Sequence, residues 1–201
     1  MKRAIVQPIA FGTIFGLLAG TVIVAGLTFL TPGLTANAIG FYGSLFLISS
    51  ALGGPLAGAL SPFIALSISA SFGSPEMQEL LAAPEVFWPN TVTAGLSLAL
   101  VGLAYRRIFE RLKMPLRLVA WGGIIAAYYI LLIPTNNAAQ NLLLNDPVSE
   151  ILPEILYGFQ TLYPQAIFDI FFTSLVFIAM PARFRRPLWG RAPLTNADSV
   201  P

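Results

Sequence analysis

Long apolar stretches alternate along the chain with short polar ones, and each apolar stretch has the length of a helix rather than a strand. Residues 5–30, 34–72, 86–105, 118–135 and 162–181 hold one ionisable acid among them, Asp169, and no Lys or Arg. A hydrocarbon core about 30 Å thick is crossed by roughly 20 apolar residues in helical form, with a range of about 17–25. The stretch 34–72 is too long for a single crossing, and Gly53-Gly54-Pro55 punctuates it. Split there, the pattern predicts six helices, over 5–30, 35–52, 55–72, 86–105, 117–135 and 161–181. Between the last two runs a more polar stretch, Asn141–Gly158, with Asp146-Pro147 and Pro153. Its apolar positions Ile151, Ile155 and Leu156 fit a short amphipathic helix that lies on the outer surface or lids a cavity.

Composition sharpens this into a membrane assignment. Of the 201 residues 56% are hydrophobic and only 10% are charged, against about 25% charged in an average soluble domain. Such a chain cannot coat a soluble globule with charge. Nor is it disordered, because disorder goes with low hydrophobicity. The fold class expected is an all-α integral membrane protein, a six-transmembrane-helix bundle forming one domain over residues 1–191, with a short disordered tail over 192–201.

The sparse charges predict the orientation. Lys and Arg collect on cytoplasmic flanks. Here they form three clusters: Lys2-Arg3, Arg106–Arg117, and Arg183–Arg191. With six helices and a cytoplasmic N-terminus, all three lie inside and the C-terminus is cytoplasmic too. Glu76, Glu79, Glu85, Asp146, Glu150 and Glu154 then lie outside. Reading 34–72 as one span would put Arg106–Lys113 outside, so charge parity favours a break near Gly53, as a tight turn or a re-entrant pair. The location expected is the plasma membrane. Lys2-Arg3, the apolar run and Ala36-Asn37-Ala38 together imitate a cleavable signal peptide. Signal cores run about 7–15 residues, and the greater length of 5–30 favours a retained helix. The stretch Arg106–Lys113 is amphipathic, which suits a topology determinant near anionic lipid or a docking site.

Two absences narrow the chemistry. The chain has no Cys and no His. That removes disulfides, the usual structural zinc sites and Ser-His or Cys-His catalytic pairs. There is no P-loop sequence and no H-E-x-x-H. The chain is not expected to be an enzyme or to hold a metal or cofactor.

The polar residues that remain gather on one side of the membrane. Trp88 and Asn90 stand at the outer end of the fourth run. Asn136, Asn137, Gln140 and Asn141 follow Pro134 in the fifth, and Tyr163, Gln165 and Asp169 lie in the outer part of the sixth. Thr161, Gln165, Asp169 and Thr173 recur every four residues and share one helix face. The last three helices therefore enclose a polar cavity that opens outward. The candidate substrate-binding residues are Trp88, Asn90, Asn137, Gln140 and Asn141, with Tyr163, Gln165 and Asp169. Asp169 is the sharpest of them. It lies roughly 10 Å inside the membrane at about 1.5 Å per residue, where ionisable groups are rare and costly. It either ties its helix to a neighbour or receives a ligand, and a bare acid suits a cationic or hydrogen-bond-donating one. The aromatics Phe87, Trp88, Tyr157, Phe159 and Tyr163 suit an interfacial belt; Trp121, Tyr128 and Tyr129 lie on the fifth run, and some aromatics are placed to stack on a flat ligand. In the first run Gly12, Gly16 and Gly20 make a glycine ridge at spacing four, which allows close helix packing. It is either an internal seam or a partner-docking face. Gly54 and Gly58 repeat the spacing.

Three passages resemble the substrate-binding S-components of energy-coupling-factor (ECF) vitamin and micronutrient transporters. Gly53-Gly54-Pro55-Leu56-Ala57-Gly58-Ala59-Leu60 resembles their Gly-Pro turn between the second and third helices. Asn90-Thr91-Val92-Thr93-Ala94-Gly95-Leu96, leading to Tyr105-Arg106-Arg107, resembles their fourth helix. Tyr163-Pro164-Gln165-Ala166-Ile167-Phe168-Asp169-Ile170, ending in Pro181-Ala182-Arg183, resembles their last. The resemblance implies capture of a small vitamin-like molecule from outside and delivery by reorientation in the bilayer. It also implies a transmembrane coupling protein and two ATPase subunits as partners. A weaker resemblance is to multi-helix sensor regions of bacterial signalling enzymes, here without an output domain. An accessory subunit of a larger membrane complex is the remaining alternative.

Overall fold

The computed structural model describes residues 2–26, 40–181, 184, 185 and 187. Among them all regular structure is helical: α1 (Lys2–Gly26), α2 (Phe41–Gly53), α3 (Pro55–Phe72), α4 (Pro75–Ala82), α5 (Pro84–Arg111), α6 (Leu116–Leu144) and α7 (Val148–Ala179). Five of these, α1, α3, α5, α6 and α7, are long and apolar enough to cross a membrane. Their exposed faces carry large apolar side chains such as Leu17, Leu100, Val119, Ile130 and Phe171, as expected where lipid is the solvent. The chain is a multi-pass helical membrane protein. The described part of α2 is shorter, 13 residues. The candidate cleavage site at Ala36-Asn37-Ala38 and the tail over 192–201 lie outside the described residues.

The helices run longer than apolarity alone marks. α6 continues past the predicted stop at 135 through Asn136, Asn137, Gln140 and Asn141 to Leu144. These amides do not break the helix. Asn141 Nδ2 donates to Asn137 O at 2.8 Å and to Glu154 Oε2 at 2.5 Å, and Asn137 Nδ2 donates to Glu154 O at 3.0 Å. The polar face is thus held against α7. In place of a separate amphipathic helix in 141–158, the chain turns at Asn145 and Asp146 and enters α7 at Val148. Pro153 and Pro164 both lie within that helix, each removing one backbone donor. The sequence reading also omits α4. Its N-cap Ser74 accepts from Met77 N at 3.3 Å, and Pro75 fills the first turn, where a missing N–H costs nothing.

Two tight seams set the packing. Gly54 alone joins α2 to α3, with φ 85° and ψ −169°, a conformation open essentially only to glycine. The ridge Gly12, Gly16 and Gly20 lies against α3. A Cβ on Gly16 would stand 2.8 Å from Ile64 Cβ and 2.9 Å from Ser61 O, and one on Gly12 3.0 Å from Ala57 Cα. α1 and α3 therefore run parallel, and α3 occupies the glycine ridge as an internal seam. The helix directions that follow gather the basic residues of α5, the α5–α6 turn and Arg185 at one end of the bundle. Tyr105, one residue before Arg106, donates to Arg185 O at 3.0 Å there. Glu76, Glu79, Glu85, Asp146, Glu150 and Glu154 fall at the other end.

Candidate functional site

At the acidic end the helices part around a partly open cavity of about 240 Å³. Its walls come from six helices, not only the last three. α1 contributes Ile23 and α3 contributes Pro62 and Leu66. α2 contributes Tyr42, Gly43 and Phe46, and α5 contributes Asn90 and Ala94. From α6 come the tyrosine pair 128–129 and Asn136-Asn137, and from α7 come Leu162 and Gln165. Aliphatic and aromatic surface dominates, with a few amides and hydroxyls set into it, the usual make-up of a small-molecule site.

The polar groups fall into two sets. One set is fully engaged and shapes the walls. Asn136 Nδ2 donates to Asn90 Oδ1 at 3.0 Å and ties α6 to α5, and Thr93 Oγ1 reaches Asn136 Oδ1 at 3.2 Å. Gln165 clasps the backbone of Gly40. Its Oε1 accepts from Gly40 N at 2.7 Å and its Nε2 donates to Gly40 O at 2.8 Å. The same Nε2 donates to Asp169 Oδ1 at 2.9 Å. Asp169 Oδ1 also accepts from Ser44 Oγ at 2.5 Å, and Oδ2 accepts from the Tyr129 hydroxyl at 2.6 Å. Gly40, the N-cap of α2, has no side chain to cap the helix. The first-turn N–H groups of a helix need acceptors and favour negative charge. Gln165 and Asp169 supply that function to α2 from α7. Gly43 is the residue that lets them approach, because a Cβ there would collide with Asp169 Oδ2 and stand 3.0 Å from Gln165 Nε2. The network continues inward, with Thr173 Oγ1 donating to Asp169 O at 2.6 Å and Trp121 Nε1 donating to Thr173 Oγ1 at 2.8 Å.

The second set is unengaged. Tyr42 and Tyr128 line the cavity, and neither hydroxyl takes a hydrogen-bond partner among the described residues. Tyr128 is 6% exposed, and its hydroxyl meets the cavity with no partner among the described residues. Asn137 Oδ1 likewise has no partner among them. Polar groups at a cavity wall take their partners from the cavity's contents. Two hydroxyls and an amide oxygen around one cavity are therefore places for a ligand or for water.

The sequence-derived residues divide accordingly. Asn90, Asn137 and Gln165 meet at the cavity. Asp169 lies one layer behind it, wholly buried, with Tyr129 and Gln165 between it and the open space. Asn141 is buried in the α6–α7 contact, where its Oδ1 is the one buried side-chain atom without a partner among the described residues. Gln140 is half-buried nearby and does not line the cavity. Trp88 and Tyr163 are 52% and 60% exposed. Trp88 packs on Phe87 and Phe63, at 5.3 Å and 6.4 Å between ring centroids, as part of an exposed aromatic cluster. Gly12, Gly16 and Gly20 lie in the α1–α3 seam, away from the cavity. The sequence reading did not assign Tyr42, Tyr128 or Asn136 to the site. Tyr42 falls seven residues after the start of the predicted helix 35–52 and gives no polar pattern. Tyr128-Tyr129 is a visible pair, but only the fold shows that one hydroxyl is used and the other is spare.

Comparison of the chain with protein-family models, with characterised proteins and with solved structures finds no match in any of the three.

Proposed function

We propose that this protein is the membrane-embedded substrate-binding component of an uptake system for a small vitamin-like or micronutrient molecule. The observation that carries the reading is the cavity at the acidic end of the bundle, whose walls present unengaged polar groups at Tyr42, Tyr128 and Asn137 within an otherwise apolar lining. These groups face the open space of the cavity and are free to bond whatever occupies it, as the few polar groups of a small-molecule site do.

In this reading the bundle spans the plasma membrane six times. Both termini and the basic end face the cytoplasm, in keeping with the inward bias of Lys and Arg. The cavity then faces outward. The resemblance of the Gly54 turn, the Asn90 region and the Gln165–Asp169 region to ECF S-components supports a separate transmembrane coupling protein and ATPase subunits as partners. ATP is used by those subunits.

The test is retention of small molecules by the purified chain in lipid nanodiscs, dialysed against a low-molecular-weight cell extract and read by mass spectrometry. The wild type should enrich one or a few compounds over Ala94→Phe, which fills the cavity from α5. No enrichment over the filled variant, with both proteins folded, overturns the binding function.

A further inference from the structure

The charge and donor inventory of the cavity specifies its substrate further. Among the described residues that line it, none is Lys, Arg, Asp or Glu. Residues 27–39, outside the described set, carry no charged side chain either. The nearest ionisable carboxyl, Asp169, is not part of the lining. Both its oxygens are occupied, Oδ1 by Ser44 and Gln165 and Oδ2 by Tyr129. An anion in the cavity would meet no counter-charge and would sit one layer from that acid. A cation would feel that acid only through the intervening layer and would contact it only by displacing Tyr129 or Gln165. An ion taken out of water without a paired partner loses several kcal/mol, and no side chain in the cavity wall offsets that loss.

The spare hydrogen-bonding capacity can be located. Gln165 has spent both amide hydrogens, on Gly40 O and Asp169, and Tyr129 has spent its hydroxyl hydrogen on Asp169. What remains is the hydroxyls of Tyr42 and Tyr128, each able to donate one hydrogen bond and to accept another, with Asn137 Oδ1 as an acceptor at the rim. Around them lie Phe46, Leu66, Leu132 and Leu162. At about 240 Å³ the space is below the roughly 300–1,000 Å³ of sites for drug-sized ligands.

We infer that the substrate is a small uncharged molecule with an apolar, ring-sized body and carbonyl or ring-nitrogen acceptors, which receive hydrogen bonds from Tyr42 and Tyr128. This rests on the binding function proposed above and replaces the cationic or donor-bearing ligand that a bare Asp169 suggests from sequence.

The experiment uses the full chain in nanodiscs and ligand-observed NMR with fragments in matched triads of one shape and three charges. Benzamide, benzoate and benzamidinium form one triad, and pyridine-carboxamide, pyridine-carboxylate and N-methylpyridinium-carboxamide, methylated on the ring nitrogen, form another. Binding is counted only where Ala94→Phe abolishes it. Neutral members should bind and charged members should not. Tyr128→Phe and Tyr42→Phe should each weaken the neutral members about 3–10-fold, the worth of one hydrogen bond. Tyr128→Phe deletes a hydroxyl with no partner among the described residues, so the described packing is kept. Cavity-dependent binding of a charged member as tight as its neutral mate overturns the charge assignment and leaves the binding function standing. Neutral binding that ignores both tyrosine variants overturns the donor assignment. No cavity-dependent binding by any triad member, neutral or charged, overturns the binding function and this inference with it.

Discussion

Adjacent tyrosines on α6 should respond in opposite ways to the same one-atom deletion. Tyr129 donates its hydroxyl to Asp169 Oδ2 at 2.6 Å, in a contact where Tyr129 is 7% exposed and Asp169 is wholly buried. Tyr128, next in the chain and 6% exposed, donates to nothing among the described residues. Hydrogen bonds to charged groups contribute about 1.5–3 kcal/mol in soluble proteins. Between membrane helices the measured average is about 0.6 kcal/mol and the maximum about 1.7. The short, dry Tyr129–Asp169 bond belongs near that maximum, so Tyr129→Phe should cost about 1.5 kcal/mol. Tyr128→Phe should lie within about 0.5 kcal/mol of wild type. Ligand capture should show the reverse order, with Tyr128→Phe the more damaging. The stability arm is reversible unfolding in mixed micelles by titration with sodium dodecyl sulfate. Tryptophan fluorescence is the readout, since Trp121 is buried and bonded to Thr173 in the same network. Equal shifts for the two variants, or a larger one for Tyr128→Phe, would refute the division of the site into engaged and spare groups.

Other perturbations test the frame that holds the site. Asp169→Leu strands the donors of Ser44, Tyr129 and Gln165, and at about 0.6–1.7 kcal/mol each should destabilise the chain by about 2–5 kcal/mol in the same titration; an unchanged midpoint would show that α7 does not cap α2. Gly16→Leu must push against Ser61 O and Ile64. Overpacking of this kind costs about 1–3 kcal/mol, and the thermal midpoint of the purified protein should fall accordingly, whereas an unaltered midpoint would mean that α3 does not occupy the ridge. Gly54→Ala forces a β-carbon into a glycine-only conformation, at about 1–3 kcal/mol, readable in the same melt. Glu76, in the first turn of α4, has its carboxyl held below the ordinary glutamate range by its own backbone N–H and by the Ser74 hydroxyl. A lowered value stabilises α4 at neutral pH, and that support is lost as pH falls through it. NMR amide signals of Met77 and Gln78 should therefore show fraying in acid, already present at neutral pH in Ser74→Ala; pH-independent signals would contradict the cap.

Much of the architecture was legible because membrane helices advertise themselves by apolar length. The break at Gly53-Gly54-Pro55 was legible for a stereochemical reason, since Gly54 takes a conformation that other residues avoid. The polar ends were harder. Asn136, Asn137 and Asn141 look like helix stops in isolation, yet partners on α5 and α7 keep them helical. The candidate site was half legible. Spacing of four put Gln165, Asp169 and Thr173 on one buried face, as the structure has them. Spacing cannot tell what faces them, and Ser44 and Gly40, the donors across that contact, lie 125 positions away in the chain. Asp169 stood out in the sequence because nothing near it in the chain could satisfy it. In the fold three donors do so, and among the described residues the groups left open to the cavity are instead two tyrosine hydroxyls and Asn137 Oδ1.

The central claim is that the cavity between α1, α2, α3, α5, α6 and α7 holds a small molecule. Native mass spectrometry of the chain, released from nanodiscs after purification from the membrane in which it was made, reads this directly. The account predicts a second mass peak heavier by one small uncharged compound, absent from Ala94→Phe and diminished in Tyr128→Phe. A single unliganded mass for the folded wild type, or an adduct equally abundant in Ala94→Phe, would contradict it.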